Sequence, residues 1–294
     1  MPPRIRGRLH EAARRLIRTG ATDDLDGAHL EMELLYAEAA GWDRTKVLAE
    51  GAQVPDYLTL AAFEKLVDRR LAREPLAYIL GRREFYGLTF EVGPGVLIPR
   101  PETETLVKAT IEAAKQHPRA RRNVRIADIG TGCGSIACAI AKHTPSAQVF
   151  ATDTSTEALA FAGRNRERLG LQERVVLLAG PLLEPLSTLD GRLDIVATNL
   201  PYIPTPDWEA LPPELHDAEP RLAFDGGDDG LDLLRGLAEQ LPNHLAEDAA
   251  AVLIEVGAGQ APAVAELFAP VGGEARLHQD LAGIERVVEL RRGF

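Results

Sequence analysis

From residue 124 onward the chain alternates between short apolar runs and amphipathic stretches, and this alternation restricts the fold more than any other feature. VRIADIG (124–130), AQVFATD (147–153), RVVLLAG (174–180), LDIVATN (193–199) and AAVLIEVG (250–257) read as buried strands. SIACAIAKH (135–143), TEALAFAGRNRERLG (156–170), LDLLRGLAEQLPNHLA (231–246) and APAVAELFA (261–269) read as helices. Strand and helix in strict succession predict a largely parallel, doubly wound sheet with helices on both faces. EARLHQ (274–279) and ERVVELRR (285–292) lack a full helix between them, which predicts an antiparallel finish.

Residues 4–80 are different in kind. IRGRLHEAARRLI (5–17) places Ile5, Leu9, Ala12, Ala13 and Leu16 on one helical stripe. DDLDGAHLEMELLYAEAAG (23–41) opens on capping acids and closes on Gly41, and DYLTLAAFEKLVDRRLA (56–72) repeats the pattern. A small helical bundle is expected over 1–82. REFYGLTFEVGPGVLI (83–98) reads as a short β-hairpin, and PRPETETLVKATIEAA (99–114) as two prolines followed by a helix. The expected division is a bundle at 1–82, a hairpin linker at 83–104 and the α/β domain at 105–294.

Charge narrows the partners. The net charge is −11; residues 1–82 are balanced at 13 basic and 13 acidic, while the remainder holds 20 basic and 31 acidic residues. Stable nucleic-acid binding is not expected from that sign. No run approaches the length of a membrane span, and the basic N-terminal stretch lacks the apolar core of a secretory signal. The two cysteines, Cys133 and Cys138, form neither a CxxC pair nor a zinc pattern, and the histidines show no metal-ligating spacing, so no metal is expected. The reading is a cytoplasmic protein. DGGDDG (225–230) reads as a tight turn, and Arg119, Arg121 and Arg122 as a solvated loop.

Two stretches carry chemistry. In IADIGTGCGSIA, Gly130, Gly132 and Gly134 follow a strand and precede a helix, where free backbone N–H groups can meet a carboxylate or phosphate. Ser135 stands where a dinucleotide fingerprint requires glycine, and no Gly-Lys-Ser/Thr follows, so neither NAD nor a P-loop nucleotide fits. Asp153 ends the second strand 25 residues after Asp128, placed to accept from ribose hydroxyls; alternatively Asp153 or Thr154 is the N-cap of the next helix. A nucleoside bearing an amino acid suits this loop, which points to S-adenosyl-L-methionine, with its adenine near Gly180, Pro181 and Leu182. The second stretch, Asn199-Leu200-Pro201-Tyr202, ends the fourth strand beside the same crevice. The Asn199 side chain and the Leu200 carbonyl offer two acceptors for a planar –NH₂ group, Pro201 stiffens the turn, and Tyr202 offers a flat face. Such a clamp holds an amide or exocyclic amine for methylation.

REFYGLTFEVGPGVLIPRPETE (83–104), ADIGTGCGSIA, Asp153, the Asn-x-Pro-Tyr segment, EPRLAFDGGDDGLD (219–232) and DLAGIERVV (280–288) together resemble the peptide chain release factor glutamine N5-methyltransferases. The resemblance spans nearly the whole chain and implies a class I, Rossmann-like methyltransferase with a seven-stranded sheet. It implies that the bundle docks a release factor and that the Gln of the factor's Gly-Gly-Gln motif is methylated. Carried over residue by residue, it assigns Gly130, Thr131, Gly132, Cys133, Gly134, Asp153, Leu182 and Asn199 to the cofactor. It assigns Asn199, Leu200, Pro201 and Tyr202 to the glutamine, with Asn199 and Tyr202 catalytic. The family usually carries Pro at the place of Leu200 and an acid at the place of Pro181. Asn-Leu-Pro-Tyr also resembles rRNA adenine N6-dimethyltransferases, so an adenine N6-methyltransferase acting on rRNA or DNA is the alternative, and a non-catalytic S-adenosylmethionine-binding regulator a third reading.

Overall fold

The structure is a computed structural model and describes residues 3–22, 24–189 and 191–294. They fall into two compact units, Met1–Arg82 with Pro213–Ala218, and Arg83–Pro212 with Glu219–Phe294.

The first unit contains α1 (Ile5–Arg18), α2 (Leu25–Ala40), α3 (Arg44–Ala49), α4 (Tyr57–Leu71) and α5 (Leu76–Leu80). Asp24 caps α2 by accepting from the N–H groups of Asp26 and Gly27, and Asp56 caps α4 through Thr59; the other expected capping acid, Asp23, lies outside the described residues. Gly41 ends α2 in the left-handed conformation. The α1 stripe is buried as its spacing requires, against Met32, Leu35, Tyr36, Phe63 and Val67. Val54, Tyr57 and Leu58 remain exposed, the last two at 82% and 77%.

The chain then makes a hairpin of β1 (Arg82–Phe85) and β2 (Leu88–Glu91), and enters α6 (Glu104–Gln116) through a turn at Pro101–Thr103. The α/β alternation follows: β3 (Val124–Ile129), α7 (Ser135–His143), β4 (Ala147–Asp153), α8 (Thr156–Arg168), β5 (Val175–Ala179), β6 (Ile195–Thr198), then α9 (Pro213–His216), which groups with the first unit, α10 (Asp232–Gln240), β7 (Ala250–Glu255), α11 (Ala261–Phe268), β8 (Arg276–Gln279) and β9 (Glu285–Arg292). The seven-stranded sheet runs β5-β4-β3-β6-β7-β9-β8, parallel through β7 and antiparallel for the last two strands. Strand order reverses between β3 and β6, which opens a crevice at their C-terminal ends.

Two expectations need correction. The helix from Leu231 stops at Gln240 because Pro242 cannot continue it; Leu241–Asn243 form a 3-10 turn. Arg119 is not a free loop residue: it pairs with Asp194, buried at the start of β6, and with Asp248 at 3.0 Å. No helix among the described residues is long and apolar enough to cross a membrane.

Candidate active site

β3 delivers the chain into the glycine loop at the crevice. Gly130 and Gly132 have φ of 72° and 56°, and a Cβ at Gly130 would approach Leu200 Cδ2 to 3.0 Å. Glycine is needed there both for the backbone turn and to let the Leu200 side chain lie over the loop. Gly134 faces α8 instead: a Cβ would meet Ala162 at 3.1 Å. Asp128 ties the loop to α7. It is fully buried, and its Oδ2 accepts from Thr131 Oγ1 (2.6 Å) and the Ala137 N–H (3.0 Å). Burial pushes its carboxyl up to about 7.

Asp153, at the end of β4, reaches across to the same loop. Its Oδ2 accepts from the Gly132 N–H and its Oδ1 from the Ser155 N–H, both at 2.8 Å. The N-cap of α8 is Ser155, which accepts from the Ala158 N–H at 3.1 Å, so neither Asp153 nor Thr154 has that task. A carboxylate oxygen accepts more than one hydrogen bond, and capacity remains for a ligand. Asn165, on α8 and fully buried, anchors the loop from behind. Its Oδ1 accepts from the Glu91 N–H (2.7 Å), and its Nδ2 donates to the carbonyls of Glu91 and Cys133, each at 3.0 Å.

These elements enclose a cavity of about 240 Å³. Gly130, Thr131, Gly132 and Cys133 form its floor with Asp153; Gly180, Pro181 and Leu182 line it, as do Asn199, Leu200 and Pro201. Leu182 takes a φ of 49°, and its carbonyl accepts from Thr152 Oγ1 at 2.8 Å. Gly134 and Tyr202 are not among the lining residues. The Tyr202 carbonyl accepts from Gln260 Nε2 at 2.9 Å, and burial pushes the phenol up to about 12.

Asn199 follows β6 directly, and its Nδ2 donates to Thr103 Oγ1 at 3.2 Å. Leu200 is buried in the core of the sheet. Three polar groups here escaped the sequence reading. Thr103, buried in the turn before α6, meets Asn199 although 96 residues separate them. Glu255, 2% exposed at the end of β7, sits level with Asn199 on the neighbouring strand, since Thr198 pairs with Ile254. Its signal was a lone acid closing an otherwise apolar run. Glu219, also buried, pairs with Arg100 and accepts from the Ile98 N–H at 2.9 Å, joining two segments that border the cavity. Cys133 and Cys138 are buried free thiols, and no metal-binding cluster occurs among the described residues.

The sequence profile described as the PrmC N-terminal domain matches residues 9–81, and a methyltransferase domain profile matches 126–218. A release factor glutamine methyltransferase of Geobacter sulfurreducens is 44% identical over 274 residues, 93% of each chain. The crystal structure of a release factor-specific protein-(glutamine-N5) methyltransferase from Alicyclobacillus acidocaldarius is 33% identical, covering 69% of this chain and 99% of that one, with a TM-score of 0.42. The N-terminal domain of human METTL16 in complex with SAH shares the fold, at 18% identity, covering 77% of this chain and 84% of that one, with a TM-score of 0.50.

Proposed function

The chain belongs to the release factor glutamine methyltransferases, and on that premise we propose how its own residues carry the reaction. The observation that supports the reading is one cavity that brings together the glycine loop, Asp153 and the Asn199–Pro201 turn.

S-adenosylmethionine fits the residues present. The glycine loop is open to backbone approach at Gly130 and Gly132, Asp153 presents a carboxylate to ribose hydroxyls, and Pro181 and Leu182 give an apolar wall for adenine. Thr131 and Cys133 add backbone to the same floor. Bound there, S-adenosylmethionine supplies a methyl group on a positively charged sulfur, and its transfer to the amide nitrogen leaves S-adenosylhomocysteine and one proton. Everything else is orientation and charge. An amide nitrogen is a poor nucleophile because its lone pair is delocalised. Asn199 Oδ1 and the Leu200 carbonyl accept its two N–H bonds and fix where that lone pair points. They also stabilise the positive charge that develops on nitrogen. Pro201 keeps Leu200 extended and its carbonyl aimed. Tyr202, half-buried after the turn and held through its carbonyl by Gln260, offers its ring face to the planar amide.

Family membership implies the substrate, the side-chain amide of the Gln in a release factor's Gly-Gly-Gln motif, and the clamp suits a planar amide of that kind. Residues 1–82 dock the factor and take no part in the chemistry, and the exposed Val54, Tyr57 and Leu58 form the contact. Labelled S-adenosylmethionine offered with a release factor, rRNA and DNA tests the reading. Mass spectrometry should find one methyl on that Gln; label in RNA or DNA instead would overturn it.

A further inference from the structure

We propose that Thr103 and Glu255 form a positioning relay that decides which end of the Asn199 amide faces the substrate. The proposal rests on the amide-methylating reading above and extends it to residues outside the clamp.

The two ends of an asparagine amide have nearly the same shape and opposite hydrogen-bonding character. The clamp works only with Oδ1 toward the substrate N–H. With the amide reversed, two donors would face each other and the site would repel its substrate. Something on the far side of Asn199 must therefore distinguish the ends. That side holds Thr103 Oγ1, which accepts from Nδ2 at 3.2 Å. A hydroxyl has one proton, and an acceptor oriented this way must send that proton elsewhere.

The Glu255 carboxyl is the acceptor at hand. It neighbours both Thr103 and Asn199, which favour its charged form, and its Oε2 has no hydrogen-bond partner. Glu255 is 2% exposed and Thr103 3%, so water does not compete freely for these bonds. Asn199 donates to Thr103, and the Glu255 carboxyl accepts from Thr103 and from the same Asn199 amide, so both contacts hold Nδ2 away from the substrate. The turn before α6, the end of β6 and the end of β7 supply one member each. Charged and titratable groups face Glu255 from each packed element: Glu102 on the turn, Arg286 on β9 and Tyr202 beyond β6.

Direction depends on Glu255 being ionised. A protonated carboxyl becomes a donor, Thr103 can then turn its proton toward Asn199, and the amide is free to reverse. Burial pushes the Glu255 carboxyl up to about 7, with Thr103 and Arg286 opposing. Turnover should therefore rise with pH through that value.

The test compares steady-state methylation of a release factor by the full-length protein across pH. Thr103→Val should lower kcat about 10- to 100-fold, the scale on which outer supports of a site count. KM for S-adenosylmethionine should stay unchanged, and Thr103→Ser should restore kcat. Glu255→Gln, neutral and donor-bearing like the protonated carboxyl, should hold kcat near the wild-type low-pH level at every pH and so lose the acid limb near 7. Thr103→Val at wild-type kcat, or an acid limb that persists in Glu255→Gln, would overturn the relay. Should Glu255→Gln fail to fold, the Thr103 pair still decides. A wild-type protein that leaves the glutamine unmethylated would overturn the amide reading itself, a result distinct from an active wild type indifferent to Thr103.

Discussion

Replacing Asn165 by alanine should damage both the stability of the α/β unit and the cofactor loop. The side chain makes three hydrogen bonds to the backbone, two to Glu91 and one to the Cys133 carbonyl, besides accepting from Arg168 at 3.3 Å. At a net ~0.5–1.5 kcal/mol each, their loss costs about 1.5–4.5 kcal/mol. The side chain is fully buried, so the abandoned backbone groups stay dehydrated and the upper half of that range applies. At about 2–4 °C per kcal/mol for a domain of this size, Tm should fall by roughly 6–18 °C. Scanning calorimetry reads this directly. The Cys133 carbonyl belongs to the glycine loop, so S-adenosylmethionine should bind more weakly and protect the variant less on heating. Asn165→Asp is the discriminating control: it keeps the acceptor for the Glu91 N–H, loses both donors and should lie no higher than alanine, because it also buries a charge. A fall of less than about 1 °C for Asn165→Ala would refute the view that this amide holds the hairpin to the loop.

Four further outcomes follow from the site. Asp153→Ala should weaken S-adenosylmethionine binding by roughly 1.5–3 kcal/mol, the size of hydrogen bonds to a charged group; calorimetric titration with unchanged affinity would leave Asp153 only its bonds to Gly132 and Ser155. Asn199→Ala should cut kcat about 10²–10³-fold with far less effect on cofactor affinity, whereas Leu200→Pro should act on stability more than on single-turnover rate, since the Leu200 side chain is buried core. Tyr57→Ser with Leu58→Ser should raise KM for the release factor by about tenfold at unchanged kcat, as expected when an apolar contact carries docking. For pH, Glu255 is a raised carboxyl: the unfolded chain releases its proton near 4.5 and the native protein near 7, so stability should fall as pH rises across that window, and Glu255→Gln should flatten the fall in Tm.

Local features were legible in the sequence and distant ones were not. SIACAIAKH and AQVFATD coincide with α7 and β4 residue for residue, because helix start and strand end are written in adjacent glycine and aspartate. The bundle stripe from Ile5 to Leu16 was equally plain, since 3.6-residue spacing needs no partner to be read. α3 and α5, with 6 and 5 residues, are too short to show a period. The misreading of Arg119 has the same root as the missed Thr103: the partner stands 75 residues away in one case and 96 in the other. Pattern along the chain shows which residues are suited to chemistry, but burial and pairing across it show which others hold them in place. Asp153 lies between the two. Its position at a strand end was evident, yet its grip on Gly132 required the fold.

The parallel pairing of β6 with β7 also bears on when the protein becomes competent. Asn199 and Glu255 are neighbours only because the chain leaves the sheet after β6, forms α9 and α10, and returns to lie alongside. Parallel crossovers of that length close slowly, since chain entropy is lost before the contacts that reward it are made. The clamp is therefore among the last features to assemble. Amide exchange during refolding should show β3 and β4, adjacent in sequence and in the sheet, protected before the end of β6. Methyl transfer should appear only with the slower phase, so that catalysis itself reports completion of the sheet.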